Sequence, residues 1–425
     1  MLEYLPYEVL LEILHRLPVK SLIQFRCVSK SYNSLITSPA FIKSSFTRSH
    51  SDSNKLIVRY LDVKYHVERY KLIYEDNVNN DSSSSEQIQD LEFPLRSSWA
   101  HFQLVGSANG LFCLHEENRF ILWNPCIRKF ITLPNPSIID VFHCYLAIGF
   151  DLRTDDYKVV RIAYQNVNIR YEGAKPPLVE VYSVNEGSWR VTSGGDSYPP
   201  RITFSNWHLQ AASLNGAVHF AANDWSNAQS FIVLSFDLGD EVFRLISFPY
   251  GKFGLNADIG TSVFNGLLSL ICYESWHYSY SIWVMKEYGI VDSWTKQFTI
   301  DLNMQCWKVL RFWKNDHVLV QKMQSGGLML FSYDPESQQM KNLGFCKSTG
   351  CSYADNYVEN LVLLDKPNEV VPKEEREQEE EVQSVGCHIC LRWCSEIVFS
   401  AKSAFRQKIT TIRRRTEGCS RVMWQ

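Results

Sequence analysis

No stretch of the 425-residue chain approaches the roughly 18 consecutive apolar residues that a membrane helix needs. The N-terminus has no basic segment leading into an apolar run, so no secretory leader is expected. Charge of one sign is also missing. The 43 Lys and Arg against 46 Asp and Glu leave a net charge of −3, too little to steer the chain toward nucleic acid or a membrane. The 12 cysteines are scattered, often inside apolar strand-like runs. They fit reduced thiols in a soluble intracellular protein, cytoplasmic, nuclear or both. Marks of catalysis are scarce as well. There is no GxSxG elbow and no histidine pair at metal spacing. The glycines at Gly194-Gly195 and Gly251-Lys252 lack the spacing that cradles phosphate. No catalytic residue, cofactor or metal is therefore assigned.

Two segments come nearest to a site and fall short. Asp151, Asp155 and Asp156 sit between two strand patterns, where aspartate favours turns by bonding nearby amides, and their spacing is not that of an EF-hand loop. In the last 44 residues Cys387, His388, Cys390 and Cys394 offer one C-x2-C pair without the second pair a zinc site normally requires. That tail follows an acidic run at 373–381, which reads as a solvated linker. It is itself basic, with Arg413-Arg414-Arg415 resembling a nuclear signal, and it reads as a charged, disordered terminus.

What the chain does have is aromatic residues, 13% of the total with 12 tryptophans, which favours a β-rich body. Between residues 100 and 345 a unit recurs: an aromatic anchor, a tight polar turn, and a second bulky residue seven positions on. Trp123–Phe130, Tyr182–Trp189, Phe236–Phe243 and Tyr333–Met340 fit it, and Trp283–Trp294 is a copy with four extra residues. The anchors lie 59, 54, 47 and 50 residues apart, a period of kelch-like propeller blades. A further strand precedes each hairpin, beginning near Gly110, Asp156, Gly216, Gly266 and His317. Two strands in 55–74 and one at 357–364 are left over; joined, they would make a sixth blade and close the ring. Five blades, or an open stack of sheets, fit the same strands. The serine-tryptophan pairs at Trp189 and Trp294 recur at about two periods, which predicts a structural place between blades rather than an exposed binding anchor.

The first 42 residues are different in kind. Pro6 suits a helical first turn, and Val9, Leu10, Ile13, Leu14 and Leu17 recur at helical spacing as one apolar face. Leu17-Pro18 ends that helix. A second is expected over Val19–Val28 and a third over Lys30–Ile36, broken by Ser38-Pro39. Three helices in about 40 residues are marginal alone and more credible as one half of an interface.

The residues then carry a resemblance. Leu5-Pro6, Glu8, Ile13, Leu17-Pro18, Lys20-Ser21-Leu22, Phe25-Arg26-Cys27-Val28-Ser29-Lys30, Ser38-Pro39 and Phe41-Ile42 resemble the F-box. This is the motif by which ubiquitin-ligase receptors dock on a Skp-type adaptor. Tyr32 departs from the tryptophan common in plant F-boxes; it keeps the ring and adds a hydroxyl. Over residues 100–365 the segments ANGLFCL, ILWNPCIRKFITLP, IGFDLRTDDYKVVRI and VEVYSVNEGSWR resemble the F-box-associated domain of the plant F-box/kelch family. The pollen self-incompatibility F-box proteins are a close subgroup of that family.

The resemblance implies a small all-α F-box (1–45), an all-β kelch-like propeller of six blades (46–365) and a charged tail (366–425). It implies adaptor contacts at Leu5, Pro6, Glu8, Ile13, Leu17, Pro18, Leu22, Cys27 and Val28. It further implies a cullin scaffold reached through the adaptor, and a target protein held by the propeller. A ligand- or carbohydrate-binding propeller, or an F-box protein acting outside a cullin ligase, are the alternatives.

Overall fold

The computed structural model describes residues 6–49, 55–62, 67–74, 87–95, 97, 102–139, 141–165, 175–204, 210–226, 230–249, 257–274, 279–301, 306–313, 316–324, 327–343 and 353–367. Four helices open the chain: α1 (Tyr7–His15), α2 (Val19–Phe25), α3 (Lys30–Ile36) and α4 (Pro39–Ser49). The expected count of three is thus one too few, because Ser38-Pro39 starts a helix as well as ending one. Ser38 Oγ accepts the Phe41 amide at 3.3 Å, and proline at the first helical position loses no hydrogen bond. The second helix stops at Phe25 instead of Val28. The amides of Cys27 and Val28 bond three residues back and tighten its last turn, and Ser29 caps α3 by accepting the Tyr32 amide at 3.2 Å. His15 stacks on Phe41 at 4.6 Å and bonds Ser44 Oγ at 2.7 Å, fastening α1 to α4.

The body is a ring of six antiparallel sheets. Blade 1 runs from the innermost strand Gln103–Ala108 through Leu111–Glu116 and Arg119–Asn124 to Lys129–Thr132. Blade 2 is built from His143–Asp151, Asp156–Tyr164, Leu178–Ser183 and Ser188–Thr192. In blade 3 the innermost position is split between Ile202–Phe204 and Ala212–Leu214, both paired to Ala217–Asp224, with Ser230–Asp237 and Phe243–Ser247 outside. Blade 4 comprises Ala257–Phe264, Leu267–Glu274, Ser279–Met285 and Trp294–Asp301; blade 5 comprises Cys306–Phe312, Val318–Gln324, Gly327–Tyr333 and Met340–Asn342. Blade 6 joins the two ends of the ring, Tyr353–Asn356 lying inside Lys55–Asp62, Val67–Tyr74 and Gln87–Leu91.

The closing strand is therefore Tyr353–Asn356, paired from Leu56↔Asn356 to Arg59↔Tyr353, and not 357–364 as the sequence suggested. Residues 357–364 contain no strand. The apolar character that made them look like one serves a different contact, described below.

The repeat has a local cause. Asn109-Gly110, Asn215-Gly216 and Asn265-Gly266 each form the turn after an innermost strand with both residues at positive φ, the requirement of a type I′ hairpin. In the outer hairpins the anchors face their partners as spaced: Trp123↔Phe130, Tyr182↔Trp189, Phe236↔Phe243 and Tyr333↔Met340. Blade 4 departs, since its longer turn and a bulge put Trp294 opposite Met285. Five residues after each regular anchor the backbone turns left-handed, at Arg128, Gly187, Glu241 and Gln338. The residue just after each of these anchors caps the turn, as when Asp237 accepts the amides of Gly239 and Asp240 at 2.9 and 2.8 Å.

Adjacent blades share apolar cores, and both serine-linked tryptophans lie in them. Trp189 is 8% exposed and Trp294 3% exposed. Each indole N–H donates to a backbone carbonyl in or just after the preceding blade, Pro134 at 2.7 Å and Ser247 at 3.2 Å. The structural reading of these two positions holds.

Candidate docking surfaces

The helical module has an inward and an outward apolar side. Leu14, Val19, Leu22, Ile36, Phe41 and Ile42 are buried together. Val9 and Ile13 point the other way and are 44% and 45% exposed; Tyr7, Phe25 and Val28 are exposed too. The α1 apolar band expected as one face spans about 140° at 100° per residue. One edge therefore enters the core through Leu10, Leu14 and Leu17, while the other meets solvent through Val9 and Ile13. Five large exposed apolar side chains within residues 7–28 form a concentration that soluble surfaces usually reserve for a partner.

The implied adaptor contacts distribute over both sides. Pro6, Glu8, Ile13, Pro18, Cys27 and Val28 are exposed, Leu17 is half-buried and Leu22 is buried at 2% exposure. Leu5 lies outside the described residues. Tyr7, Val9 and Phe25 also face solvent, although the resemblance did not assign them. Their signal was available for Val9, which sits one helical turn before Ile13. Tyr32 packs its ring edge-on against Phe25, centroids 5.8 Å apart, so the departure from tryptophan keeps an aromatic contact beside this surface.

The module's core is not its own. Leu361 and Leu364 complete it, with Val362 and the blade 1 turn residues Cys126 and Ile127 packed alongside. Residues 357–367 run as a strap between the helices and the ring. Buried Asn124 donates to Asn360 Oδ1 at 2.7 Å and to the Val362 carbonyl at 2.8 Å, and the Asn360 amide group returns a bond to the Asn109 carbonyl at 2.7 Å. Lys129 Nζ bonds the carbonyls of Leu364 and Lys366. Cys126 Sγ meets the Asn360 carbonyl at 2.8 Å, and burial pushes its thiol up to about 12, so it packs instead of reacting. Gly110 is required here: a Cβ would stand 1.9 Å from the Val358 carbonyl oxygen, and its φ is +82°. On the same side of the ring, Lys43 of α4 pairs with Asp155.

The aspartates that resembled a site are turn and core residues. Asp151 accepts from the Arg153 amide at 3.0 Å, Thr154 at 2.7 Å and Lys158 at 2.8 Å. Burial opposes ionisation, but these bonds together hold its carboxyl below the ordinary value. Asp156 accepts from Ser183 and the Asn185 amide, and burial raises it. Near the ring axis a cavity of about 90 Å³ is lined by Ser107, Ala108, Asn109, Ala212, Ser213, Ser262, Val263 and Arg311. Its one cation is already matched, because Asp355 accepts from Arg311 at 2.6 Å, from Tyr353 at 2.6 Å and from Ser107 at 2.8 Å. Among the described residues no cluster of three or more His, Cys, Asp or Glu could hold a metal, and no helix is long and apolar enough to cross a membrane. The tail carrying Cys387, His388, Cys390, Cys394 and Arg413–Arg415 lies outside the described residues.

Two family descriptions match the chain. Residues 2–44 match the F-box domain and residues 61–363 the F-box associated beta propeller domain. F-box protein CPR1 of Arabidopsis thaliana is 27% identical over 384 residues, covering 84% of this chain and 89% of its own length. An F-box/kelch-repeat protein of the same plant is 28% identical over 384 residues, covering 86% and 96%. These relatives do not single out the pollen self-incompatibility subgroup.

Proposed function

The chain belongs to the plant F-box proteins that carry an F-box-associated β-propeller, and from that premise we propose that it is the substrate-receptor subunit of a Skp–cullin–F-box ubiquitin ligase. The observation that carries the proposal is the outward apolar surface of Val9, Ile13, Phe25 and Val28 on a module whose inner core is already filled. In this reading Pro6, Glu8, Ile13, Leu17, Pro18, Cys27 and Val28, with Leu5 before them, contact the Skp-type adaptor. Leu22 supports that surface from the core side. Residues 1–45 act as the docking module, 46–365 as a kelch-like propeller that holds the target protein, and 366–425 as a charged tail.

The contribution is positional. A receptor raises the effective concentration of a target and holds its lysines within reach, while other subunits perform ubiquitin transfer. The chain itself is then not an enzyme, and it works in the cytoplasm or nucleus, where cullin ligases meet their targets. A ligand-binding propeller would present exposed aromatics and free carboxylates at the ring mouth. The axial cavity, with small side chains and an arginine already paired to Asp355, does not favour that alternative. Co-purification of the tagged full chain from plant tissue tests the proposal. Adaptor and cullin recovered together support it, adaptor without cullin supports a role outside the ligase, and recovery of neither contradicts it.

A further inference from the structure

The segment that closes the ring runs directly into the segment that completes the helical core. Tyr353–Asn356 pairs with Lys55–Asp62, and the next residues carry Tyr357, buried against Phe112 with centroids 6.2 Å apart. Then come Asn360, locked to Asn124, and Leu361 and Leu364, which enter the core of α1–α4. Each step uses groups that would be costly to leave unpaired. Asn124 is fully buried and Asn360 nearly so, and the cradle at Gly110 admits the strap only because no side chain stands there.

We propose that residues 357–367 are a positioning strap that holds the F-box on the propeller as one rigid arm, independently of the covalent connection through residues 50–54. Under the receptor reading above, on which this part rests, the strap fixes the distance from the adaptor to the bound target. Ring closure and arm placement become one event, because the same stretch of chain does both. A receptor with an unfinished ring then lacks a placed F-box.

The test separates the strap from the chain connection. A protease site inserted between residues 51 and 54 of the full chain is cleaved after folding, and the product is analysed by size exclusion. The wild-type fragments should elute together. Ile127→Asp, which charges the blade 1 turn without touching ring closure or the outward apolar surface, should release the F-box fragment from a propeller fragment of unchanged circular dichroism. Leu364→Asp should do the same. Separation of the wild-type fragments, or retention in both variants, would overturn the strap. A second arm uses immobilised adaptor, which should capture both fragments of the cleaved wild type, whereas the propeller fragment of cleaved Ile127→Asp should pass through unbound. Capture of nothing by the adaptor, with the wild-type fragments still co-eluting, would refute the docking reading and leave the strap standing.

Discussion

Replacing Trp294 by alanine probes the blade interface most sharply. The indole is 3% exposed between blades 3 and 4, packs on Phe248 at 5.5 Å, and donates to the Ser247 carbonyl at 3.2 Å. Truncating a buried tryptophan costs about 3–5 kcal/mol through lost transfer energy and the cavity left behind. With roughly 2.1 cal/mol/K of unfolding entropy per residue, a propeller of about 320 residues shifts by about 1.5 °C per kcal/mol, so the melting temperature should fall by about 5–8 °C. Trp294→Phe keeps most of the ring but loses the bond to the Ser247 carbonyl, so about 1 kcal/mol is expected. Trp189, bonded to Pro134 across the interface of blades 1 and 2, should give the same ranking. Differential scanning calorimetry of the full chain reads both pairs. An alanine variant melting with the wild type, or a phenylalanine variant worse than the alanine one, would refute the reasoning.

Ring closure by Tyr353–Asn356 predicts that a chain ending at residue 356 still melts cooperatively, at a lower temperature because Tyr357 and the partners of Asn124 are gone, whereas one ending at 352 exposes the edge of Lys55–Asp62 and aggregates on light scattering. Equal behaviour of the two would argue against that closure. Gly110→Ala should lower the melting temperature by several degrees, because its Cβ meets the Val358 carbonyl; an unchanged melt would mean the strap sits elsewhere. His219 is buried, bonded to the Ala212 carbonyl and to Tyr288, and burial lowers it to about 4. A histidine held neutral in the fold is protonated first in the unfolded chain, so its contribution is present above pH about 6.5 and is lost as pH falls toward 4. Urea titrations should show about 3 kcal/mol of that loss, less in His219→Gln, and a stability flat over this window would contradict the assignment.

Much of this architecture was legible in sequence, because the outer hairpins carry their own instructions. An aromatic anchor, a capping Asn, Ser or Asp and a left-handed fifth residue recur through Trp123, Tyr182, Phe236 and Tyr333. The innermost strands were harder. Gln103–Ala108 reads QLVGSA, with small and polar side chains suited to a narrow axis, and so lacks an apolar alternation. Strand Gln87–Leu91 was missed for a similar reason, being polar and outermost. The strap was misread as a strand because Leu361, Val362 and Leu364 are apolar for the sake of helices more than 300 residues earlier in the chain. No local pattern encodes such a contact. The fourth helix, by contrast, was announced by Ser38-Pro39, a pair that fits a helix start as well as a break.

The central claim is that the outward side of the helical module docks an adaptor. Isothermal titration of the purified full chain with a Skp-type adaptor measures it directly, comparing the wild type with Ile13→Asp/Val28→Asp. Both residues are exposed, so the double variant should keep the wild-type melting temperature. The account predicts saturable binding by the wild type and at least about tenfold weaker binding by the variant, a loss of roughly 1.4 kcal/mol or more. Absence of binding by the wild type, or equal affinities of the two folded chains, would contradict it.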